Sequence, residues 1–357
     1  MAARLIAIGC LLLHLLPPHF AGTGKTPAIV IFGDSSVDSG NNNFINTPAK
    51  CNYEPYGRDF EGGKPTGRFS NGRLATDFIS QAFSLLPAVP AYLDPAYTIK
   101  DFAVAVCFAS AATGYDNATS DVMVQNSVIP LWKELEFFKE YAAKLKSYQG
   151  EERANETIRE ALYIISMGAN DFLENYYALP GRGRSSEFTA GEYESFLVGI
   201  AEGFVREVYG VGARKIDVTG LPPMGCLPLE RAVENFRRPF AGGRCNEEYN
   251  GVAREFNGKL EKMVGKLSLE LPEIRLVYGN IYDIFDDVIK NPTSYGFEVA
   301  EVGCCSNGLV EMGYMCRSPL TCWDANQYVF WDALHPTQKM NLLLASHTIN
   351  TTLSSFM

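Results

Sequence analysis

The chain has 357 residues, 46% hydrophobic and 20% charged, an ordinary globular composition that argues against a disordered or fibrous protein. Its formal net charge of −10 leaves no electrostatic footprint for nucleic acid or an anionic membrane. No apolar run reaches the roughly 20 residues that cross a bilayer.

Residues 1–24 read as a secretory leader: Arg4 is the charged start, Leu5 to Leu16 the apolar stretch, and Ala21-Gly22-Thr23-Gly24 the small residues for cleavage. The remainder, 25–357, shows no repeat, low-complexity tract or linker and is expected to form a single domain. Short apolar runs alternate with helical periodicity, the pattern of βαβ units and a mostly parallel sheet. A strand is predicted over Ala28–Phe32, and the Gly-, Pro- and Asn-rich stretch Asn41–Asn71 reads as a long loop after it. The next strand is predicted over Ala103–Phe108. Leu131, Leu135, Phe138, Ala142 and Leu145 recur at helical spacing. A strand over Ala161–Ser166 follows, then a flexible loop at Gly181-Arg182-Gly183-Arg184 and a helix over Glu192–Tyr209. Beyond a strand at Lys215–Thr219, Arg237-Arg238 reads as a solvated surface pair. Tyr249, Val252, Phe256, Leu260, Met263 and Leu267 mark another helix face, with a strand over Ile274–Tyr278 after it. Gly303–Asn326 reads as a cysteine-stapled loop, and Thr337–Ile349 as the last helix.

Cysteine usage fits an oxidising compartment. Cys10 leaves with the leader, so Cys51, Cys107, Cys226, Cys245, Cys304, Cys305, Cys316 and Cys322 remain, an even set for which disulfides are the default. Connectivity is open; Cys226–Cys245 and pairings within 304–322 close the shortest loops. The spacings fit no zinc site, and ligand histidines are missing. No metal and no cofactor are expected. Asn117, Asn155 and Asn350 head N-x-Ser/Thr glycosylation sequons.

Four islands carry the chemistry. The first, Gly33-Asp34-Ser35, follows a buried strand and presents a hydroxyl at the carboxyl edge, where open α/β sheets place ligands. The second is Cys107–Gly114, the third Met167-Gly168-Ala169-Asn170-Asp171, and the fourth Asp332-Ala333-Leu334-His335-Pro336. Serine is a weak nucleophile that needs an adjacent base. Of four histidines, His14 and His19 lie in the leader. His335 has a carboxylate three residues upstream, whereas His347 sits in an apolar helix pattern without one. Ser35, His335 and Asp332 are therefore the expected nucleophile, base and orienting acid. Asp34 and the cluster Asp38, Asn41, Asn42 and Asn43 read as turn chemistry, Asp171 as a helix cap, and Asn170 on its own residues as a helix-capping turn residue.

Gly33-Asp34-Ser35, Gly168-x-Asn170-Asp171 and Asp332-x-x-His335 resemble the GDSL (SGNH-hydrolase) esterase/lipase family, in its secreted plant branch. Thr66–Arg73 and Gly220–Cys226 resemble it too, so the likeness covers about residues 27 to 350. It implies a flavodoxin-like three-layer α/β/α sandwich with a mostly parallel central sheet, a Ser-His-Asp triad, and an apoplast or cell-wall location. It also implies an oxyanion hole made by the N–H of Ser35, the side-chain amide of Asn170 and an N–H of the second island, at Ala112. Many relatives carry Gly-Gly where this chain has Ala111-Ala112; the donor is expected to survive that change if φ at Ala112 is negative.

The leading reading is a secreted serine esterase or lipase acting on a small-molecule, lipid or polymer ester. An acyltransferase using the same acyl-enzyme on cell-wall or cuticle polymers is its runner-up. A catalytically silent secreted glycoprotein is the non-enzyme alternative, and a paired-carboxylate glycosidase finds no suitable pair.

Overall fold

The computed structural model describes residues 26–122, 128–178, 183–237, 243–316 and 320–357. The leader therefore lies outside the described residues, as do Gly181, Arg182 and Arg238.

Strand β1 (Ile29–Gly33) leads through a long loop to α1 (Ala75–Ala82), the short α2 (Ile99–Phe102) and β2 (Ala105–Cys107). Then come α3 (Leu131–Gln149), α4 (Glu151–Glu160), β3 (Leu162–Ser166), α5 (Ala190–Val211) and β4 (Lys215–Thr219). The chain continues through α6 (Pro228–Arg237), α7 (Glu247–Glu270), β5 (Arg275–Gly279), α8 (Tyr282–Lys290) and β6 (Val299–Gly303), and ends with β7 (Tyr328–Phe330) and α9 (Gln338–Thr351). The expected strands and helices are each present, shifted by one or two residues at their ends; β4 is as expected.

The five strands β2-β1-β3-β4-β5 form one wholly parallel sheet. Both faces are covered by helices, which is why β1, β2 and β3 read as nearly continuous hydrophobic runs. On one face Val30, Phe32, Tyr163, Ile165 and Val218 pack with residues of α3, α5 and α7 such as Phe138, Phe204 and Phe256. On the other, Ile29, Ile31, Leu162 and Ile164 pack with Phe78 and Ile79 of α1 and Ala345 of α9. The result is a three-layer α/β/α sandwich. β6 and β7 pair in parallel with each other, outside the main sheet.

The order 2-1-3-4-5 puts the topological switch between β1 and β3, where doubly wound sheets open a crevice at their carboxyl ends. The two strands approach closely there. Gly33 has φ of 151°, and a Cβ on it would lie 2.1 Å from the carbonyl oxygen of Ser166. Only glycine lets β1 end so tightly against β3 and turn at once into Asp34, whose N–H donates to that same oxygen at 3.1 Å.

Three disulfides staple the periphery: Cys226–Cys245, Cys304–Cys322 and Cys305–Cys316. The even set is not fully paired. Cys51 and Cys107 are buried free thiols, each donating to a carbonyl, Cys51 to Gly67 at 2.9 Å and Cys107 to Val37 at 3.3 Å. Burial pushes the Cys107 thiol up to about 12, so it stays protonated and inert. Among the described residues no cluster is suited to a metal ion and no helix is long and apolar enough to cross a membrane.

Candidate active site

Ser35 sits two residues past the end of β1, in a turn closed by Val37 and Asp38 N–H groups donating to the Asp34 carbonyl at 3.1 and 2.9 Å. The Asp34 carboxylate accepts the Ser36 N–H at 2.9 Å. Behind the turn, Glu134 of α3 accepts the Gly33 N–H at 3.0 Å. Burial pushes the Glu134 carboxyl well above its ordinary range. Helical periodicity does not mark it, because Glu134 lies beside the apolar stripe of α3.

The fourth island brings acid and base to this hydroxyl from the far end of the chain. Asp332 is fully buried, and its Oδ1 accepts the N–H groups of Leu334 and His335 at 2.8 and 2.7 Å. That turn folds the chain back so the His335 ring meets its own carboxylate, with Nδ1 2.8 Å from Asp332 Oδ2. His335 Nε2 lies 2.9 Å from Ser35 Oγ. The three-residue gap thus does two tasks, capping a turn and aiming an imidazole. His347 lies on α9 and takes no part in this array.

A residue not singled out from the sequence completes it. The Tyr56 hydroxyl donates to Asp332 Oδ2 at 2.6 Å and accepts the Gly313 N–H at 2.7 Å. Burial would raise the Asp332 carboxyl, but the His335 charge, its ring hydrogen bond and the Tyr56 hydroxyl outweigh that and hold it below the usual carboxylate value. Phe69 packs beside the imidazole, ring centres 4.8 Å apart. Tyr56 and Phe69 both come from the long loop after β1, whose Gly/Pro/Asn composition carries no signal of such contacts.

The loops around Ser35 are tied to one another. Asn41 Nδ2 donates to the carbonyls of Cys107 and Ala109, both at 2.9 Å, and Asn42 Nδ2 to that of Ala111 at 3.1 Å. Asp38 accepts the N–H groups of Gly40, Asn41 and Ala111, and burial raises its carboxyl to about 6. The asparagine cluster is turn chemistry, here serving to join the first and second islands. Arg68 forms a buried two-pronged ion pair with Asp77 of α1, at 2.8 and 2.9 Å.

Asn170 is buried at the end of β3, beside β1. It makes no helix cap; its Nδ2 donates to the Thr113 carbonyl at 2.8 Å, which orients the amide and leaves its second N–H available. Asp171 does not cap its helix either. It reaches back to accept the N–H groups of Tyr115 and Asp116 at 2.8 and 3.0 Å and the Thr119 hydroxyl at 2.6 Å. A Cβ at Gly114 would lie 2.4 Å from that carboxylate, so glycine is what admits it. Ala112 has φ of +66°, so the negative φ set as the condition for its donor is not met; the N–H is kept instead because the backbone holds the left-handed shape that glycine favours, and alanine bears the strain. Neither the Ser35 nor the Ala112 N–H donates to an acceptor among the described residues. Arg184 differs from expectation too. It is not free, but pairs with Asp116 at 2.6 Å. The sequon residues Asn117, Asn155 and Asn350 are all exposed.

Parallel strands covered on both faces, with a crevice at the switch point that holds Ser35 and His335, define an α/β protein of the doubly wound class. The family model described as GDSL-like Lipase/Acylhydrolase matches residues 29–348. Among similar proteins are three from Arabidopsis thaliana. GDSL esterase/lipase At2g04570 is 59% identical, covering 94% of this chain and 93% of its own. GDSL esterase/lipase At2g42990 is 55% identical over 96% and 95%, and GDSL esterase/lipase At4g26790 is 53% identical over 99% of each. The chain belongs to the GDSL-like lipase/acylhydrolase family and, by that membership, to the carboxylic ester hydrolases.

Proposed function

We propose that the protein is a secreted serine esterase or lipase working through a covalent acyl-enzyme, with residues 25–357 as one catalytic domain after loss of the leader. The observation that carries this reading is the continuous chain Ser35 Oγ–His335 Nε2 at 2.9 Å and His335 Nδ1–Asp332 Oδ2 at 2.8 Å. Ser35 attacks the ester carbonyl as His335 takes its proton, and Asp332 holds the imidazole tautomer and stabilises the cation formed. The oxyanion of the tetrahedral intermediate is received by the Ser35 N–H, the free N–H of Asn170 and the Ala112 N–H. Collapse expels the alkoxide, protonated by His335, and water then repeats the sequence to free the acid. No metal or cofactor enters these steps.

Three disulfides support an oxidising destination, the apoplast or cell wall, and exposed sequon asparagines are open to glycosylation. The deciding experiment is hydrolysis of an ester series from acetate upward by wild type and Ser35→Ala, with a fluorophosphonate probe read at Ser35. Wild type should turn over and be labelled, and the variant should do neither. Turnover by Ser35→Ala would overturn the nucleophile assignment.

A further inference from the structure

The cavity that opens at Ser35 and His335 has a volume of about 140 Å³. It runs over the carboxyl halves of β3 and β4, beneath α9 and α1. Most of its wall is apolar, including Ile79, Leu221, Phe285 and Leu344. Polar side chains interrupt it, among them Thr76, Ser166, Thr219 and Thr348, and with them Asp217 and Asn341. Asp217 stands on β4 opposite Ile164 of β3, on the sheet face that looks at α9. Asn341 stands one turn before Leu344 on the cavity side of α9.

Both are buried, and each has an atom with no partner. Asp217 is fully buried; one carboxyl oxygen accepts the Thr219 hydroxyl at 2.7 Å, while Oδ1 accepts nothing. Asn341 is 2% exposed and its Nδ2 donates to nothing. The carboxyl has a prepared place, since a Cβ on neighbouring Gly279 would lie 2.8 Å from Oδ1. A desolvated polar atom without a partner is unfavourable, since it has lost its water and gained nothing in return. Two in one cavity with a largely apolar wall point to a guest that supplies what they lack.

Their chemistry selects that guest. The Asn341 amide nitrogen only donates, and the Asp217 oxygen accepts; burial raises its carboxyl to about 7, so near neutrality it can also donate. A hydroxyl can answer either group, accepting from Asn341 or exchanging a hydrogen bond with Asp217. A plain alkyl chain answers neither. A cavity of about 150 Å³ holds a benzene-sized group, which corresponds here to an acyl part of about six carbons.

We infer that this cavity receives the acyl half of the ester and is built for a hydroxylated acyl group, recognised by Asp217 and Asn341. The inference rests on the reading of Ser35 as the acylated residue. Its test is arranged to separate the two.

Methyl 6-hydroxyhexanoate and methyl hexanoate are titrated into Ser35→Ala protein by calorimetry, so that binding is read without turnover. The hydroxy ester is expected to bind more tightly. The ratio of the two affinities should fall about tenfold when Asp217→Leu is added, the effect of losing roughly one hydrogen bond. Asn341→Leu, on a different element, should act in the same direction and carries the test if the strand variant does not fold. Tighter binding of the plain ester, with a ratio unmoved by either leucine, would mean that water fills these groups and would overturn the inference. Hydroxyl-selective binding beside a wild type that hydrolyses neither ester would instead count against the serine-esterase reading and leave the subsite standing.

Discussion

The Tyr56 hydroxyl and the His335 ring converge on the same oxygen, Oδ2 of Asp332, at 2.6 and 2.8 Å. The buried acid is thus held ionised by a donor nearly the whole chain away in sequence, as well as by its own imidazole partner.

Tyr56→Phe removes that donor and leaves the Gly313 N–H unpaired. Because the hydroxyl lowers the Asp332 pKa, its loss raises it. A depressed carboxyl contributes stability above its unfolded value that disappears as pH falls through the folded one. The variant should therefore lose stability, by about 2 kcal/mol at neutral pH, and the acid limb of its kcat/KM profile should move to higher pH. A limb that stays in place would separate Tyr56 from the ionisation of Asp332.

Asn170→Ala is expected to lower kcat by roughly 10²–10³-fold with KM little changed, as when one oxyanion donor is removed. Asn170→Asp should be no better, since it replaces the donor with an acceptor. Steady-state kinetics on a short-chain ester read both; a loss confined to KM would place Asn170 in substrate binding instead.

The left-handed backbone at Ala112 predicts that glycine is the more comfortable residue there. Ala112→Gly should raise unfolding stability by about 1 kcal/mol, measured by urea denaturation. An unchanged or lowered midpoint would mean that the strain is relieved elsewhere in the loop.

Asp217 gives a pH signature with the opposite sign from Asp332. Its carboxyl is raised from 3.8 to about 7 by burial. Between those values the folded chain keeps a proton that the unfolded chain has lost, so stability falls as pH rises. Asp217→Asn should flatten that decline between about pH 4 and pH 7, by as much as about 4 kcal/mol over the whole window for a shift of this size. Parallel pH–stability curves for wild type and variant would show Asp217 ionised throughout.

Thiol titration checks the cysteine accounting. A chain lacking residues 1–24 should show no reactive thiol when native and two, Cys51 and Cys107, when unfolded without reductant. Reduction should then destabilise it by roughly 2–4 kcal/mol for a disulfide-closed loop. A higher count before reduction would remove one of the three bridges.

What could be read in advance was what local pattern controls. β1 was legible because an apolar run buried on both faces has one solution, and Ser35 and His335 because a strand-end turn and a carboxylate three residues away are local signals. Tyr56, Glu134 and Asp217 were not legible. Each acts through a partner set by the tertiary fold, with nothing nearby in sequence to mark it. Arg184 and Asp171 misled for the same reason: an arginine after a glycine and a residue opening a helix look like surface and cap until Tyr115, Asp116 and Thr119, just past the second island, arrive beside them. Cys51 and Cys107 show that even parity is only a prior, because geometry decides which thiols can meet.

Ser35 and Asn170 hang from the five-stranded sheet, whereas Asp332 and His335 follow β7, in the separate strand pair whose neighbour β6 leads into Cys304 and Cys305. The Ser35–His335 contact is therefore set between two sheets that share one core, not within one sheet. Slackening the smaller sheet would part that contact while leaving the larger one whole, so this alignment is the property most exposed to anything that loosens the staples.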